Sequence, residues 1–177
     1  MDLKRFHTND TPRVYVACLG AYNAGKYVGE WVDADSCLAE TVKELTQKWH
    51  AIGGHEYGDE WAIHDHEFGL AWPGGEYPDL DKVGELGEAL EEHGDAFAAY
   101  LTYVDTSGRD IWEIVDEFIE DYAGDDTEAN TAQEYAEDAG YIDFGSGNPL
   151  TYCIDWQHAY KELGFYNVLG YNFRARQ

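Results

Sequence analysis

The chain has 177 residues and a formal charge of −25 at pH 7, from 36 Asp and Glu residues against 11 Lys and Arg residues. Between Trp49 and Tyr160 there are 28 acidic residues and only two basic ones, Lys82 and Arg109. Such a chain is repelled by nucleic acid and by anionic membranes, so a partner selected by charge is basic. Because 44% of the residues are hydrophobic and 15% are aromatic, the composition predicts a folded protein rather than a disordered acidic tail.

The sequence contains no apolar run of about 18–20 residues that would cross a bilayer, and no charged-then-apolar leader. Its three cysteines, Cys18, Cys37 and Cys153, are odd in number and have no metal-binding spacing. We therefore expect reduced thiols and a cytoplasmic protein that does not bind membranes.

Residues 1–68 are predicted to form a small α+β domain. A Tyr-Asn-Ala-Gly sequence at 22–25 is typical of a turn, and β-branched and aromatic residues on either side are typical of strands. The predicted strands are 13–19, 27–32 and 61–64. Ser36 is a candidate cap for a helix that ends at Gly53, because apolar residues follow it at helical spacing. These residues are Leu38, Val42, Leu45 and Trp49.

Residues 69–109 are predicted to form a central helical domain, which begins with a Pro- and Gly-rich break. Apolar residues recur at helical spacing from Val83 to Val104. Gly94 lies in the middle of this region, so it would divide the region into two shorter helices.

Residues 110–177 are predicted to form a third, α+β domain. Its first helix, 110–122, is amphipathic. The apolar face consists of Ile111, Ile114, Val115, Phe118, Ile119 and Tyr122. The polar face consists of Asp110, Glu113, Asp116, Glu117, Glu120 and Asp121. Thr127 and Asp155 are candidate caps of two further helices. The predicted strands are 141–144, 152–154 and 168–173.

The acidic helix faces have a charge spacing close to that of DNA. Six carboxylates on the 110–122 helix cover about 18 Å of axis, or roughly one charge per 3 Å, at a rise of about 1.5 Å per residue. One strand of B-form DNA carries one phosphate per about 3.4 Å. We therefore predict a DNA-like polyanionic surface that binds a basic partner. Its candidate residues are Glu85, Glu88, Glu91, Glu92, Asp95, Asp110, Glu113, Asp116, Glu117, Glu120, Asp121, Asp125, Asp126, Glu128, Glu134, Glu137 and Asp138.

An ordinary solvated surface, salt adaptation and calcium binding each fit the acidic segment less well. An ordinary solvated helix face has interspersed charges, unlike this segment. Adaptation to high salt would spread acidic residues along the chain, whereas residues 1–48 have seven acidic and six basic groups. A calcium loop starting at Asp121 or Asp125 would lack Gly at its sixth position and Glu at its twelfth.

No catalytic or cofactor motif is present: the sequence has no GxSxG, no GxxxxGK[ST] and no GxGxxG. His64 and His66 would share one face of a strand, with His55 nearby, so a two-histidine metal site is conceivable. No HExxH or CxxC accompanies them, which favours ordinary surface histidines. We predict no catalytic residue, no cofactor and no metal. A metal-dependent hydrolase is the enzyme alternative.

Residues 14–19 (VYVACL), 22–25 (YNAG) and 29–34 (GEWVDA) give a tyrosine-rich strand, a turn and a GxWxD strand in that order. This arrangement closely resembles the opening of the ArdA antirestriction proteins. Residues 60–65 (EWAIHD) with Glu67 also match. A looser C-terminal match involves Tyr152, Cys153, Ile154, Asp155, Ala159, Tyr160 and Leu163. The resemblance extends from about residue 13 to about residue 173.

The resemblance implies an elongated protein of three small domains, which dimerises through its C-terminal part. Such proteins imitate bent B-form DNA and occupy the DNA-binding groove of type I restriction–modification enzymes, in the methyltransferase core. They block restriction and often modification, without turnover, and are carried by mobile genetic elements. The resemblance therefore implies a homodimer whose partner is such an enzyme rather than nucleic acid.

The N-terminal domain is nearly neutral over residues 1–48, so it has too little net charge there to belong to the polyanionic surface. We hypothesise that it is mainly a structural cap, with some contact to the enzyme through Glu30, Asp33 and Asp35. The alternative function that the sequence allows is an acidic inhibitor or partner of another basic DNA-binding protein, such as a nuclease or a nucleoid protein.

Overall fold

The computed structural model describes residues 11–54, 57, 60–72 and 75–175. Within these ranges the chain is mixed α/β, in agreement with the predicted α+β class, and has a three-stranded and a two-stranded sheet. The helices are α1 (Leu19–Asn23), α2 (Leu38–Gly53), α3 (Leu80–Leu101), α4 (Ile111–Asp121), α5 (Glu128–Asp138) and α6 (Trp156–Glu162). The strands are β1 (Arg13–Cys18), β2 (Gly29–Asp33), β3 (Trp61–His66), β4 (Phe165–Val168) and β5 (Tyr171–Arg174). None of the described helices is long and apolar enough to cross a membrane.

The chain divides into two compact units, Met1–Val115 and Asp116–Gln177. The first unit holds 23 acidic and eight basic residues, and the second holds 13 acidic and three basic residues. Both units are therefore acidic. The expected division into three domains, 1–68, 69–109 and 110–177, stays a prediction.

The N-terminal sheet is antiparallel, with β1 between β2 and β3. Val14 and Val16 of β1 are fully buried, because alternate residues of a strand point to opposite faces of its sheet. The three predicted strands are confirmed, with ends that differ by up to two residues. The short helix α1 was not predicted; it precedes the turn at Gly25, whose φ of +74° suits glycine.

The buried stripe of α2 consists of Leu38, Val42, Leu45 and Trp49, as the spacing predicted. The predicted cap is wrong, since Cys37 rather than Ser36 occupies the N-cap position. The Asp35 carboxylate accepts a hydrogen bond from the Cys37 backbone N–H at 2.8 Å, so the acidic side chain turns the chain into the helix.

Helix α3 begins at the cap Asp79, whose carboxylate accepts hydrogen bonds from the first turn. It bends at Gly94, where φ is +63°, so the predicted break in the helical region is confirmed. Gly84 and Gly87 let the helix approach the loop before α2 closely: a Cβ on Gly87 would lie 1.8 Å from the Ala34 carbonyl oxygen.

Helix α4 lies within one residue of its predicted bounds at both ends, but its buried face differs from the prediction. Ile114 and Phe118 are buried, as expected. Ile119 and Tyr122 belong to the predicted apolar face yet are 57% and 38% exposed. Asp121 belongs to the predicted polar face yet is only 8% exposed. The apolar stripe is therefore narrower than the sequence pattern indicated.

The second unit combines α5, α6 and the β4–β5 hairpin. Thr127 and Asp155 cap α5 and α6 as predicted. Tyr160 and Phe165 pack together in the core with ring centroids 5.3 Å apart. The predicted final strand, 168–173, is confirmed only in part: Val168 ends β4, residues 169–170 form the turn, and the final strand β5 begins at Tyr171.

Two predicted strands are wrong. Residues 141–143 contain no strand, and Phe144–Ser146 is a 3₁₀ turn. Residues 152–153 are the end of a second 3₁₀ turn, Pro149–Cys153, and Ile154 follows it. The Asn148 side chain caps this turn. Short runs of aromatic and β-branched residues lack the length that separates strands from turns.

Candidate functional site

The 17 acidic residues predicted to form the polyanionic surface differ in exposure. Eleven are exposed and five are half-buried. Asp121 is the exception, because it is buried at the end of α4. Its carboxylate therefore lies outside the exposed acidic faces, contrary to the sequence-based expectation.

Two carboxylates of α3 are engaged in the fold. The Glu88 carboxylate accepts a hydrogen bond from the Ser36 backbone N–H at 3.0 Å. The Glu91 carboxylate accepts one from the Thr11 hydroxyl. These two residues connect α3 to segments more than 50 positions earlier in the chain, so they have a structural role whatever else they bind.

Helix α4 carries four acidic residues at i, i+3, i+4 and i+7 spacing: Glu113, Asp116, Glu117 and Glu120. Residues at these spacings share one helix face, where like charges repel each other by a few tenths of a kcal/mol per pair. Its last turn has no basic residue to interact favourably with the helix dipole. Within the described part of the chain, neither Glu113 nor Asp116 forms an ion pair. This face is therefore unfavourable for the stability of the isolated helix.

Helix α5 repeats the pattern. Glu134, Glu137 and Asp138 are exposed in its second half, and the last turn again has no basic residue. At its N-terminus, in contrast, polar groups have hydrogen-bond partners. The Thr127 hydroxyl accepts a hydrogen bond from the Asn130 backbone N–H at 3.2 Å, and the Asp126 carboxylate accepts one from the Asn130 amide at 3.0 Å.

Some acidic residues around the N-terminal sheet are paired with basic ones. These ion pairs include Arg13 with Glu67 at 2.8 Å, Lys43 with Glu40 at 3.1 Å, and Lys48 with Glu30. Glu30 and Asp35, two of the three residues expected to contact the enzyme, thus have partners within the chain: a lysine and the Cys37 N–H. Asp33 is exposed on β2.

The conceivable histidine metal site does not form in the described residues. β1 and β3 change register between Tyr15 and Val16, which leaves His64 unpaired at a bulge. His64 is exposed against the Tyr22 ring, whereas His66 stacks on Trp72 with centroids 4.3 Å apart. The expectation that both histidines share a strand face is therefore wrong. His55 lies outside the described residues. No group of three or more metal-ligating residues occurs in the part of the chain that the structure describes.

Sequence reasoning missed Asn172, the centre of a buried hydrogen-bond network in the second unit. Its side-chain amide donates to the Asp126 carbonyl at 2.7 Å and to the Thr131 hydroxyl at 3.0 Å. Its side-chain oxygen accepts from the Tyr160 hydroxyl at 2.8 Å and from the Asn167 amide at 2.9 Å. The network ties β5 to the start of α5 and to α6. Burial, with the Glu128 charge as a smaller cause, raises the pKa of Tyr160 to about 12.

The family model of the ArdA antirestriction proteins matches residues 14–166, from β1 to β4. The chain belongs to the ArdA antirestriction protein family. The family prediction made from the N-terminal motif is thus confirmed. A comparison with curated proteins gives no match.

The ArdA match includes all 17 acidic residues predicted to form the polyanionic surface. ArdA proteins are inhibitors, and membership supports an antirestriction role for this chain. The ArdA motif residues of the first 34 positions lie in or directly beside β1, α1 and β2, and β1 and β2 are two strands of the N-terminal sheet. The acidic helices that follow are a separate part of the same family match.

Proposed function

We propose that the chain is a DNA mimic that binds the DNA-binding groove of type I restriction–modification enzymes and blocks them stoichiometrically. The observation that supports this best is the pair of helices α4 and α5. Both present carboxylates at spacings that repel each other, and neither has a basic residue in its last turn. Repulsion between these carboxylates destabilises each helix. A basic partner that binds the same face would remove this repulsion, which explains why the carboxylates are present.

The groove of a DNA-binding enzyme is lined with basic side chains that contact phosphates. The helix carboxylates, at roughly 3 Å of helix axis per charge, present the groove with a charge spacing close to that of the phosphates of one DNA strand. Association releases the counterions held by both surfaces, so affinity falls steeply as salt rises. Because phosphate contacts supply most non-specific affinity, the mimic has no need to reproduce base edges.

The proposal includes three further elements. The chain acts as a homodimer joined through its C-terminal part. Its acidic residues are distributed over the proposed domains 69–109 and 110–177. It acts in the cytoplasm without a cofactor, as an inhibitor that is not consumed by any reaction.

The test is competition for a purified type I methyltransferase core. A fluorescently labelled cognate duplex is bound to the enzyme and titrated with the protein, and anisotropy reports the bound DNA. We expect complete displacement near one inhibitor per DNA site, and a steep loss of inhibitor affinity between low and moderate salt. Inhibitor binding that leaves the duplex on the enzyme, or that does not change with salt, would overturn the proposal.

The same titration against an unrelated basic DNA-binding protein separates the mimic from a general acidic inhibitor. A nucleoid protein bound to labelled DNA serves as the control partner. We expect at least a hundredfold weaker displacement there at equal salt. Equal displacement of DNA from both proteins would favour the alternative of a non-selective acidic partner.

A further inference from the structure

A surface cavity of about 360 Å³ lies in the first unit, and none of the residues that line it belongs to α4 or α5. Its walls are Leu19, Glu60, Trp61 and Tyr77. The Trp61 and Tyr77 rings are tilted by 54°, with centroids 6.3 Å apart. Tyr77 is 63% exposed, and Glu60 is also exposed. The walls therefore include two aromatic residues and one acidic residue, and the cavity is open to solvent.

Backbone hydrogen bonds fix these walls. The Leu19 N–H donates to the Glu60 carbonyl at 3.1 Å, which holds the start of α1 beside the entry to β3. The Ile63 N–H donates to the Glu76 carbonyl at 2.9 Å. This second bond holds the loop that carries the tyrosine wall against the strand that carries the tryptophan wall. The cavity is thus formed by the fold and not by flexible side chains alone.

The chain places its own cations over aromatic rings at three other positions. These pairs are Arg13 over Trp31 at 5.7 Å, Lys26 over Tyr57 at 5.4 Å and Arg174 over Tyr135 at 4.2 Å. In the ranges that the structure describes, no Lys or Arg lies over the ring of Trp61 or Tyr77, and the Glu60 carboxylate has no ion pair. Two aromatic residues and an acidic residue of the cavity walls therefore have no cation partner within the described part of the chain.

We propose that this cavity receives an arginine side chain of the partner protein. A guanidinium group is planar, stacks on aromatic faces and donates two parallel hydrogen bonds to one carboxylate. Trp61 and Tyr77 supply the faces, and Glu60 supplies the carboxylate. A lysine ammonium is a compact, strongly hydrated charge that gains less from such a site.

The identity of the partner as a restriction enzyme rests on the proposed function; the selectivity of the cavity for a guanidinium group does not. The cavity beside the N-terminal sheet would then contribute one specific anchor. The acidic helices would contribute many weak, salt-sensitive contacts. This assigns a binding role to the region of the N-terminal sheet, whereas residues 1–68 were expected to be mainly a structural cap.

The direct test uses Nα-acetyl-arginine amide as the probe and the full-length protein labelled with ¹⁵N. We expect saturable shifts of the Trp61 indole N–H and of the Leu19 and Tyr77 amides, with a millimolar dissociation constant. Nα-acetyl-lysine amide should bind at least threefold more weakly, and Glu60→Gln should abolish the localised shifts. Shifts that are absent, spread over the chain, or equal in Glu60→Gln would overturn the proposed cavity site.

The partner test uses Glu60→Gln and Tyr77→Ala in the competition assay with the methyltransferase core. Each is expected to weaken displacement roughly tenfold, the change that about 1.4 kcal/mol of lost contact produces. Glu44→Gln on α2 removes one charge from the same unit and does not line the cavity, so it should change affinity less than twofold.

Three outcomes separate the two proposals. If the arginine probe binds but the protein does not displace DNA, the cavity stands and the proposed function fails. If DNA is displaced equally well by all three variants, the cavity has no role in partner binding, whatever the probe shows. If Glu44→Gln weakens displacement as much as Glu60→Gln, the effect is general charge loss and the anchor is overturned.

Discussion

The carboxylate of Glu88 accepts a hydrogen bond from the backbone N–H of Ser36 at 3.0 Å, across 52 positions of sequence. Ser36 lies just before the N-terminus of α2, where unpaired backbone N–H groups and the helix dipole favour a negative charge. A member of the predicted polyanionic surface is thus used to hold α3 against α2. Exposure and charge alone do not separate a carboxylate that binds a partner from one that stabilises the fold.

We expect Glu88→Ala to lower the free energy of unfolding by about 1–2 kcal/mol, since a charged acceptor is lost and a backbone donor is left unsatisfied. Urea unfolding measures the change. Glu85→Ala, one turn earlier on α3, is the matched control, because its carboxylate has no hydrogen bond or ion pair within the described residues. Equal losses in the free energy of unfolding for the two substitutions would show that the Glu88 hydrogen bond does not stabilise the fold.

Asn172 is expected to be the most sensitive polar residue of the second unit. Asn172→Ala removes the acceptor of Tyr160 and the donor to Thr131, and leaves both partners buried. Each unsatisfied buried group costs roughly 1–3 kcal/mol, so we expect a loss of at least about 3 kcal/mol in urea unfolding. The exposed Asn130→Ala should cost less than about 1 kcal/mol. A small effect of Asn172→Ala would mean that water replaces the network.

His66 makes stability depend on pH. Its ring stacks on Trp72 with planes 8° apart, and burial lowers its pKa, although the Asp65 charge opposes this. The folded chain therefore binds fewer protons at His66 than the unfolded chain. The stabilising contribution of the neutral ring is complete above its ordinary pKa of 6.5 and is lost as pH falls below that value.

Urea unfolding of His66→Phe should show less loss of stability between about pH 7.5 and pH 5.5 than the unsubstituted chain. His64→Gln, which changes an exposed histidine on the same strand, is the matched control. If the free energy of unfolding changes with pH in the same way for His66→Phe and the unsubstituted chain, His66 is not the source of the pH dependence.

The helices were predictable where local signals agreed. Thr127 and Asp155 precede apolar residues at helical spacing, and each caps a helix of the structure as predicted. Asp110, predicted to lie on the polar face of α4, instead precedes that helix and accepts a hydrogen bond from the Trp112 backbone N–H. The predicted strands at 141–144 and 152–154 rested on composition alone and were wrong, because β-propensity depends on a neighbouring strand that the sequence does not specify.

The candidate site was only partly predictable. Acidic residues at helical spacing predicted that most carboxylates would be exposed, and they are. Asp121, Glu88 and Asn172 could not be identified from sequence, because their burial or hydrogen bonds depend on tertiary packing. The bulge at His64 is a pairing irregularity between two strands that leaves no local pattern in either one.

The acidic end of α5 should oppose stability while supporting binding. Glu137 and Asp138 lie in its last turn, where the helix dipole disfavours negative charge. We expect the double substitution Glu137→Gln with Asp138→Asn to raise the free energy of unfolding by about 0.5–1 kcal/mol at low salt. The gain should disappear near about 1 M salt because screening removes the repulsion. Urea unfolding at the two salt concentrations measures this.

In the competition assay the same double variant should bind the methyltransferase core more weakly. If both carboxylates meet the basic groove, the slope of log affinity against log salt should fall by roughly one for each charge removed. Lys43→Gln with Glu40→Gln, an exposed ion pair on α2, is the charge-neutral control and should leave the slope unchanged. A double variant that is more stable and binds with an unchanged slope would place the end of α5 outside the partner-binding surface. A stability gain with a reduced slope would show that these charges are kept for binding at the expense of the fold.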